Sequence, residues 1–153
     1  MTGAQDENAQ RANVVRIART WLGTPYRPLG RVRGSGCDCA TFPAEVYAAA
    51  GVIAPIAIGH YPPDWHLHQG GERYLARVLE VAREVAAPQT GDFVLYRMGR
   101  ALAHGAIVIA WPRIVHAAWN IGVVEDDGTA PALTYDRRAG RRERRFYSCW
   151  GSA

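Results

Sequence analysis

The stretch Gly36-Cys37-Asp38-Cys39-Ala40-Thr41-Phe42 decides how this chain is read. It places a cysteine where a glycine-bearing loop ends and a helix is predicted to begin. Phe42, Val46 and Tyr47 follow Cys39 at the spacing of an amphipathic helix, and Gly51 supplies a stop after about Ala50. Pro43 falls in the first turn, where a missing N–H costs little. A thiol in that turn meets unpaired backbone N–H groups and the positive end of the helix dipole. Both favour thiolate, the nucleophilic form.

Upstream, Val14, Ile17, Ala18, Trp21 and Leu22 fall on one face of a helix predicted over Gln10–Leu22, ended by Gly23-Thr24-Pro25. Tyr26 to Gly36 reads as a loop. Downstream, residues 53–69 are irregular, and Glu72–Val85 is predicted as a third helix burying Tyr74, Leu75, Val78, Leu79 and Val85. After the turn Pro88-Gln89-Thr90-Gly91 the apolar period becomes strand-like. Asp92–Arg97, His104–Trp111, Arg113–Trp119, Ala132–Tyr135 and Arg144–Cys149 are five predicted strands with short Gly-, Pro-, Asp- or Asn-bearing connections, which favours antiparallel hairpins. Helices first and strands second make an α+β domain. The expected organisation is a flexible leader over residues 1–9 and a single domain over 10–153.

The 153 residues are 48% hydrophobic and 21% charged, as in an ordinary globular domain with a core. No apolar run approaches the roughly 20 residues that span a bilayer, so a membrane is not expected as partner. The polar N-terminus lacks the basic-then-apolar layout of a signal peptide. Net charge is +4, carried by arginine without any lysine. Cys37 and Cys39 flank one residue, too close for an easy bridge, so at least one of the three thiols is expected to be free.

A cysteine nucleophile needs a base to take its proton and a third group to orient that base. His104 and His116 are the candidates, on consecutive strands joined by the turn at Pro112-Arg113. In a tight hairpin His104 pairs near Trp119 and Val108 near Val115. A small register shift or bulge is therefore needed to bring the histidines side by side. Taken singly, each of the three residues also has a structural reading, as a packed thiol or a strand histidine.

In order along the chain, five blocks resemble NlpC/P60 cysteine peptidases, from about residue 14 to 120. Gly-Cys-Asp-Cys-Ala-Thr-Phe resembles that family's nucleophile motif, Gly-x-Asp-Cys-Ser-Gly-Phe. Leu22-Gly23-Thr24-Pro25-Tyr26 resembles the segment before it, and Gly91-Asp92-Phe93-Val94-Leu95-Tyr96 the Gly-Asp-Leu-Val-x-Phe strand. His104-Gly105-Ala106-Ile107-Val108 resembles the His-Val-Gly-Ile-Tyr base strand, and Ile114-Val115-His116-Ala117 the strand of the third polar residue. The resemblance implies a papain-like α+β fold, with N-terminal helices on an antiparallel sheet of about five to six strands. It implies Cys39 as nucleophile, His104 as general base and then acid, and His116 as the residue orienting His104. It further implies Tyr26 at the oxyanion and Asp38 in a structural or substrate-binding role. The Cys39 backbone N–H is the other natural oxyanion donor.

Two departures stand out. Ser-Gly after the nucleophile is Ala40-Thr41 here, which bears on substrate preference. The usual Trp-Gly-Gly is replaced by Arg27-Pro28-Leu29-Gly30, with Arg31 and Arg33 beyond, a loop that either offers arginines to substrate carboxylates or is solvated. The implied activity is hydrolysis of amide bonds in peptidoglycan stem peptides, of the D-glutamate–diaminopimelate type, with no cofactor. A subgroup carried by tailed phages and gene-transfer particles is resembled further, through Tyr61-Pro62-Pro63-Asp64-Trp65 and the absence of an export signal. It implies a virion tail-tip enzyme, made in the cytoplasm, acting in the host periplasm or cell wall, and held by tail-tip or hub proteins. The alternatives are a tail-tip plug with the same fold and little activity, and a bacterial amidase or acyltransferase on small amides.

Three other features carry weaker chemistry. Asp64, His66 and His68 alternate on a loop near His60, but nothing closes a metal site around them, and a polar lid over the cleft is the reading preferred. Cys37 and Cys149 would need ligands from a partner to hold an iron–sulfur cluster, and are read as packing. The arginines from Arg137 to Arg145 form a basic hairpin about Gly140. Few stacking aromatics lie among them, so nucleic acid is not expected, and a solvated turn or protein-docking patch is.

Overall fold

Past Gly91 alternate side chains enter two apolar layers, and that alternation builds the sheet. The chain is seen in a computed structural model that describes residues 3–56 and 73–151. His60, Asp64, His66, His68 and the Tyr61–Trp65 segment lie outside these residues.

The α+β expectation holds. Helix α1 (Gly3–Thr20) is followed by the small hairpin β1 (Arg31–Val32) and β2 (Gly36–Cys37), then α2 (Thr41–Ala49) and α3 (Arg73–Leu79). Strands β3 (Arg83–Val85), β4 (Phe93–Met98), β5 (Ala101–Ala110), β6 (Arg113–Ala118) and β7 (Gly122–Asp127) come next. A helical turn α4 (Pro131–Thr134), the hairpin β8 (Tyr135–Asp136) and β9 (Gly140–Arg141), and β10 (Arg144–Ser148) complete the chain. The main sheet is antiparallel, in the order β3-β10-β4-β5-β6-β7.

One face of the sheet, with Phe93, Leu95, Ile107, Val115 and Ala117, packs under α1, α2 and α3 through Val14, Ala18, Phe42, Val46, Tyr47 and Tyr74. The other carries Val94, Tyr96, Ala106, Val108 and Ile114 against Leu133. Both faces are covered at β4, so Phe93 to Tyr96 are all buried.

Several boundaries differ from expectation. The polar segment read as a leader is helical from Gly3, and its polarity is used in pairs one turn apart: Glu7 with Arg11 at 2.9 Å and Gln10 with Asp6 at 3.5 Å. The third helix ends at Leu79, and Arg83–Val85 pairs with β10 instead. Tyr74 and Val78 are buried as expected, whereas Leu79 is exposed. The predicted strand Ala132–Tyr135 is mostly helical, begun by Pro131 with its φ already fixed. The basic hairpin about Gly140 does form, as β8 and β9. Gly51 stops α2 as expected: its N–H bonds to Ala48 and the Val52 N–H to Tyr47, the pattern of a left-handed glycine cap, with Gly51 at φ 72°.

Candidate active site

Asp38, not Ala40, starts the turn that carries Cys39. Its Oδ1 accepts the N–H groups of Ala40 and Thr41, both at 2.9 Å, and its backbone carbonyl accepts the Phe42 N–H at 3.1 Å. That is the geometry of a helix cap, two residues ahead of Ala40, the cap position of the regular helix. The Asp38 N–H donates in turn to the Thr41 hydroxyl at 2.8 Å, and Oδ2 takes the Leu29 N–H at 2.8 Å. With 2% exposure, Asp38 holds the Tyr26–Gly36 loop to the helix start.

Cys39 therefore does sit in the opening turn, but its thiol is not poised as thiolate. Burial first, and then the Asp38 charge, push it up to about 12. The dipole effect expected from sequence is outweighed by burial first, and then by the capping carboxylate, whose charge opposes the positive potential at the helix end. The Tyr26 hydroxyl and the N–H groups of Gly105 and Cys39 act in the opposite direction, steadying a charged sulfur. The thiol donates to the Ala103 carbonyl at 3.4 Å, at the peptide immediately before His104.

Tyr26 meets Cys39 twice, at the thiol and at the backbone N–H. Its ring lies against Trp119, 5.2 Å between centroids, and Trp119 is itself half exposed. Tyr26 also bridges to Cys37, which fixes the loop beside the cysteine turn. Cys37 is a fully buried core residue and Cys149 packs at the core's edge; all three cysteines are free thiols. Among the described residues no group of three or more His, Cys, Asp or Glu is placed to hold a metal.

The two histidines meet. His104 Nε2 lies 2.8 Å from His116 Nδ1. The register pairs Ile107 with Val115 and shifts between Val108 and Ala110, the irregularity the sequence required. Continued along the hairpin, it sets His116 opposite Ala106, one diagonal step from His104. A second bulge leaves Ala103 unpaired between Tyr96↔His104 and Arg97↔Leu102, which turns the start of β5 at the point where the cysteine loop arrives.

Two contacts at the site escaped the sequence reading. His116 Nε2 lies 3.1 Å from Asp126 Oδ2, on β7. Burial lowers the pKa of His116, opposed by its bond to Asp126 and that carboxylate's charge. The signal for β7 was the turn Asn120-Ile121-Gly122, where Asn120 and Gly122 both take positive φ. The second contact is the Tyr74 hydroxyl, which donates to the Cys39 carbonyl at 2.6 Å. Gly105 makes room for it, since a Cβ there would lie 2.1 Å from Phe93 Cζ and 2.5 Å from the Tyr74 hydroxyl oxygen. The loop arginines are engaged within the protein: Arg31 with Glu45 and the Ile56 carbonyl, Arg27 with the Ser35 carbonyl, Arg33 with Thr20.

No family model matches the sequence. No curated protein matches it either. Solved structures do. The NlpC/p60 domain of the peptidoglycan hydrolase SagA aligns with TM-score 0.53 and 22% identity, over 77% of this chain and 89% of that one. The peptidoglycan hydrolase RipB of Mycobacterium tuberculosis aligns with TM-score 0.60 and 17% identity, over 99% of this chain and 70% of that one. RipD of the same organism, a non-catalytic NlpC/p60 domain protein adapted to peptidoglycan binding, gives 0.54 and 14%, over 91% and 96%. At such identities the likeness is one of fold, and the helices and six-stranded antiparallel sheet of this chain have the fold of NlpC/P60 domains.

Proposed function

We propose that this chain is a cysteine-dependent peptidoglycan hydrolase acting on amide bonds of stem peptides. The observation that carries the proposal is the meeting of two clusters at one stretch of β5. The Cys39 sulfur, with Tyr26, lies against the Ala103–Gly105 backbone, and His104, hydrogen-bonded to His116, belongs to that same stretch. In the reaction Cys39 gives its proton to His104 as sulfur bonds to the amide carbon. The developing oxyanion takes hydrogen bonds from the Tyr26 hydroxyl and the Cys39 N–H. His104 returns the proton to the leaving nitrogen as the C–N bond breaks. Water, deprotonated by His104, then cleaves the thioester and regenerates the thiol.

The finer parts are the D-glutamate–diaminopimelate bond and delivery on a virion tail tip, to act in the host wall alongside tail proteins. Both rest on sequence resemblance, the second on the Tyr61–Trp65 segment. Digestion of purified sacculi followed by mass spectrometry tests the reaction and the bond together. New amino groups on diaminopimelate are expected, whereas release of intact stem peptides from the sugar would assign an amidase instead. Detection of the protein in purified particles tests the setting.

A second reading, a binding domain without turnover, has one observation in its favour. The thiol is buried and pushed up to about 12. Sacculus binding without any new amine would support it.

A further inference from the structure

We propose that Asp126 is a positioning residue that sets which nitrogen of His104 carries the proton, acting through His116. The inference rests on His104 being the base of the reaction proposed above. It follows from a count of protons along three groups. An ionised carboxylate only accepts hydrogen bonds. For His116 Nε2 to bond to Asp126 Oδ2 at 3.1 Å, that nitrogen must carry hydrogen. A neutral imidazole has one N–H, so His116 Nδ1 is bare and can only accept. His104 Nε2, 2.8 Å from it, must then be the donor. The single proton of neutral His104 is thus on Nε2, and Nδ1 is the basic nitrogen.

Without Asp126 the bond between the two rings can run in either of two orders. In the second, His116 Nδ1 donates to His104 Nε2, the His104 proton moves to Nδ1, and that nitrogen can no longer take one from Cys39. Burial keeps His116 neutral at rest, which is what the count requires. Asp126 is itself held: its Oδ1 accepts the Asp127 N–H at 2.8 Å, which aims Oδ2 at His116. Among the described residues, the charged and titratable groups that meet the pair, or the Tyr96 ring beside His104, are Asp126 and Asp127 from β7, Tyr96 from β4 and Arg144 from β10, and all but Asp126 stay constant in the test.

The anchoring of Oδ1 gives a discriminating variant. In Asp126→Asn the amide oxygen stays on the Asp127 N–H, so the NH2 faces His116 Nε2 and donates to it. That nitrogen must then be bare, His116 carries its proton on Nδ1, and His104 is driven to the Nδ1–H form. The near-isosteric variant is therefore worse than truncation. Asp126→Ala is expected to lower kcat/KM about tenfold, and Asp126→Asn further, towards the roughly 10⁴-fold cost of a wrong tautomer.

The deciding measurement is long-range ¹H–¹⁵N spectroscopy of the histidine rings in full-length Cys39→Ala protein, which needs no activity. With Asp126 present, His104 and His116 should both read as Nε2–H. With Asp126→Asn both should read as Nδ1–H. His104 remaining Nε2–H in the Asn variant, or starting as Nδ1–H with Asp126 in place, overturns the proposal. Absence of peptidoglycan hydrolysis by the unmodified protein would instead overturn the functional reading and leave the ring spectra to decide the role of Asp126.

Discussion

At Cys39 the pull of a helix start is outweighed, first by burial and then by a neighbouring carboxylate. The thiol is buried and stays protonated, which makes the proton acceptor on β5 necessary to any attack. Alkylation of Cys39 by iodoacetamide should keep rising with pH beyond the ordinary cysteine range of about 8.5 and not level off before it nears 12. A plateau near pH 8 would mean a thiolate stabilised by something else. Asp38→Asn removes a negative charge beside the sulfur, so it should lower the midpoint and speed alkylation at fixed pH. The residues of the cysteine turn and the histidine pair were legible from sequence because their types and order carry the chemistry. Asp126 and Tyr74 were not, because each meets the site through a contact made only by the folded chain: Asp126 on the His116 ring and Tyr74 on the Cys39 carbonyl.

At the scale of elements, the site depends on how closely α3 and the cysteine turn approach β5. Gly105 sets that distance. Gly105→Ala drives a methyl group into Phe93 and the Tyr74 hydroxyl, and should cost about 1–3 kcal/mol, read from the urea midpoint. A variant of unchanged stability would show that α3 is not seated as described. The same scale explains which strands escaped the sequence. Of the interior strands, β4, β5 and β6 are strongly apolar, whereas β3 and β7 are the two edges and carry Arg83, Glu84, Glu125, Asp126 and Asp127. Charge on an edge strand guards against pairing with other chains, and it also erases the apolar pattern by which a strand is recognised. The first turns of α1 were missed for a related reason, since they are held by polar pairs and not by an apolar stripe.

Across the whole molecule, one buried ion pair ties the first helix to the sheet. The Arg11 guanidinium bonds to Asp92 at 2.8 Å and to the Thr90 carbonyl at 2.9 Å, and lies 4.3 Å from the centroid of the Trp150 ring. Neither side chain of the pair exceeds 6% exposure. Arg11→Ala leaves the Asp92 charge buried without its partner and should cost about 3–5 kcal/mol, with an unchanged denaturant slope. A loss under about 1 kcal/mol would place the pair among surface ion pairs. The layout of helices first and strands second was legible from periodicity, but this long-range tie was not, because Arg11 and Asp92 lie in segments that look locally like helix surface and the start of a strand.

The central claim is that Cys39, set against the start of β5, is the nucleophile of a hydrolase. It is tested most directly by incubating purified peptidoglycan with the unmodified protein and with Cys39→Ala, each checked for native circular dichroism, and counting the amino groups released. The account predicts release by the first and none by the second. Equal release by both, or none by either, would contradict it.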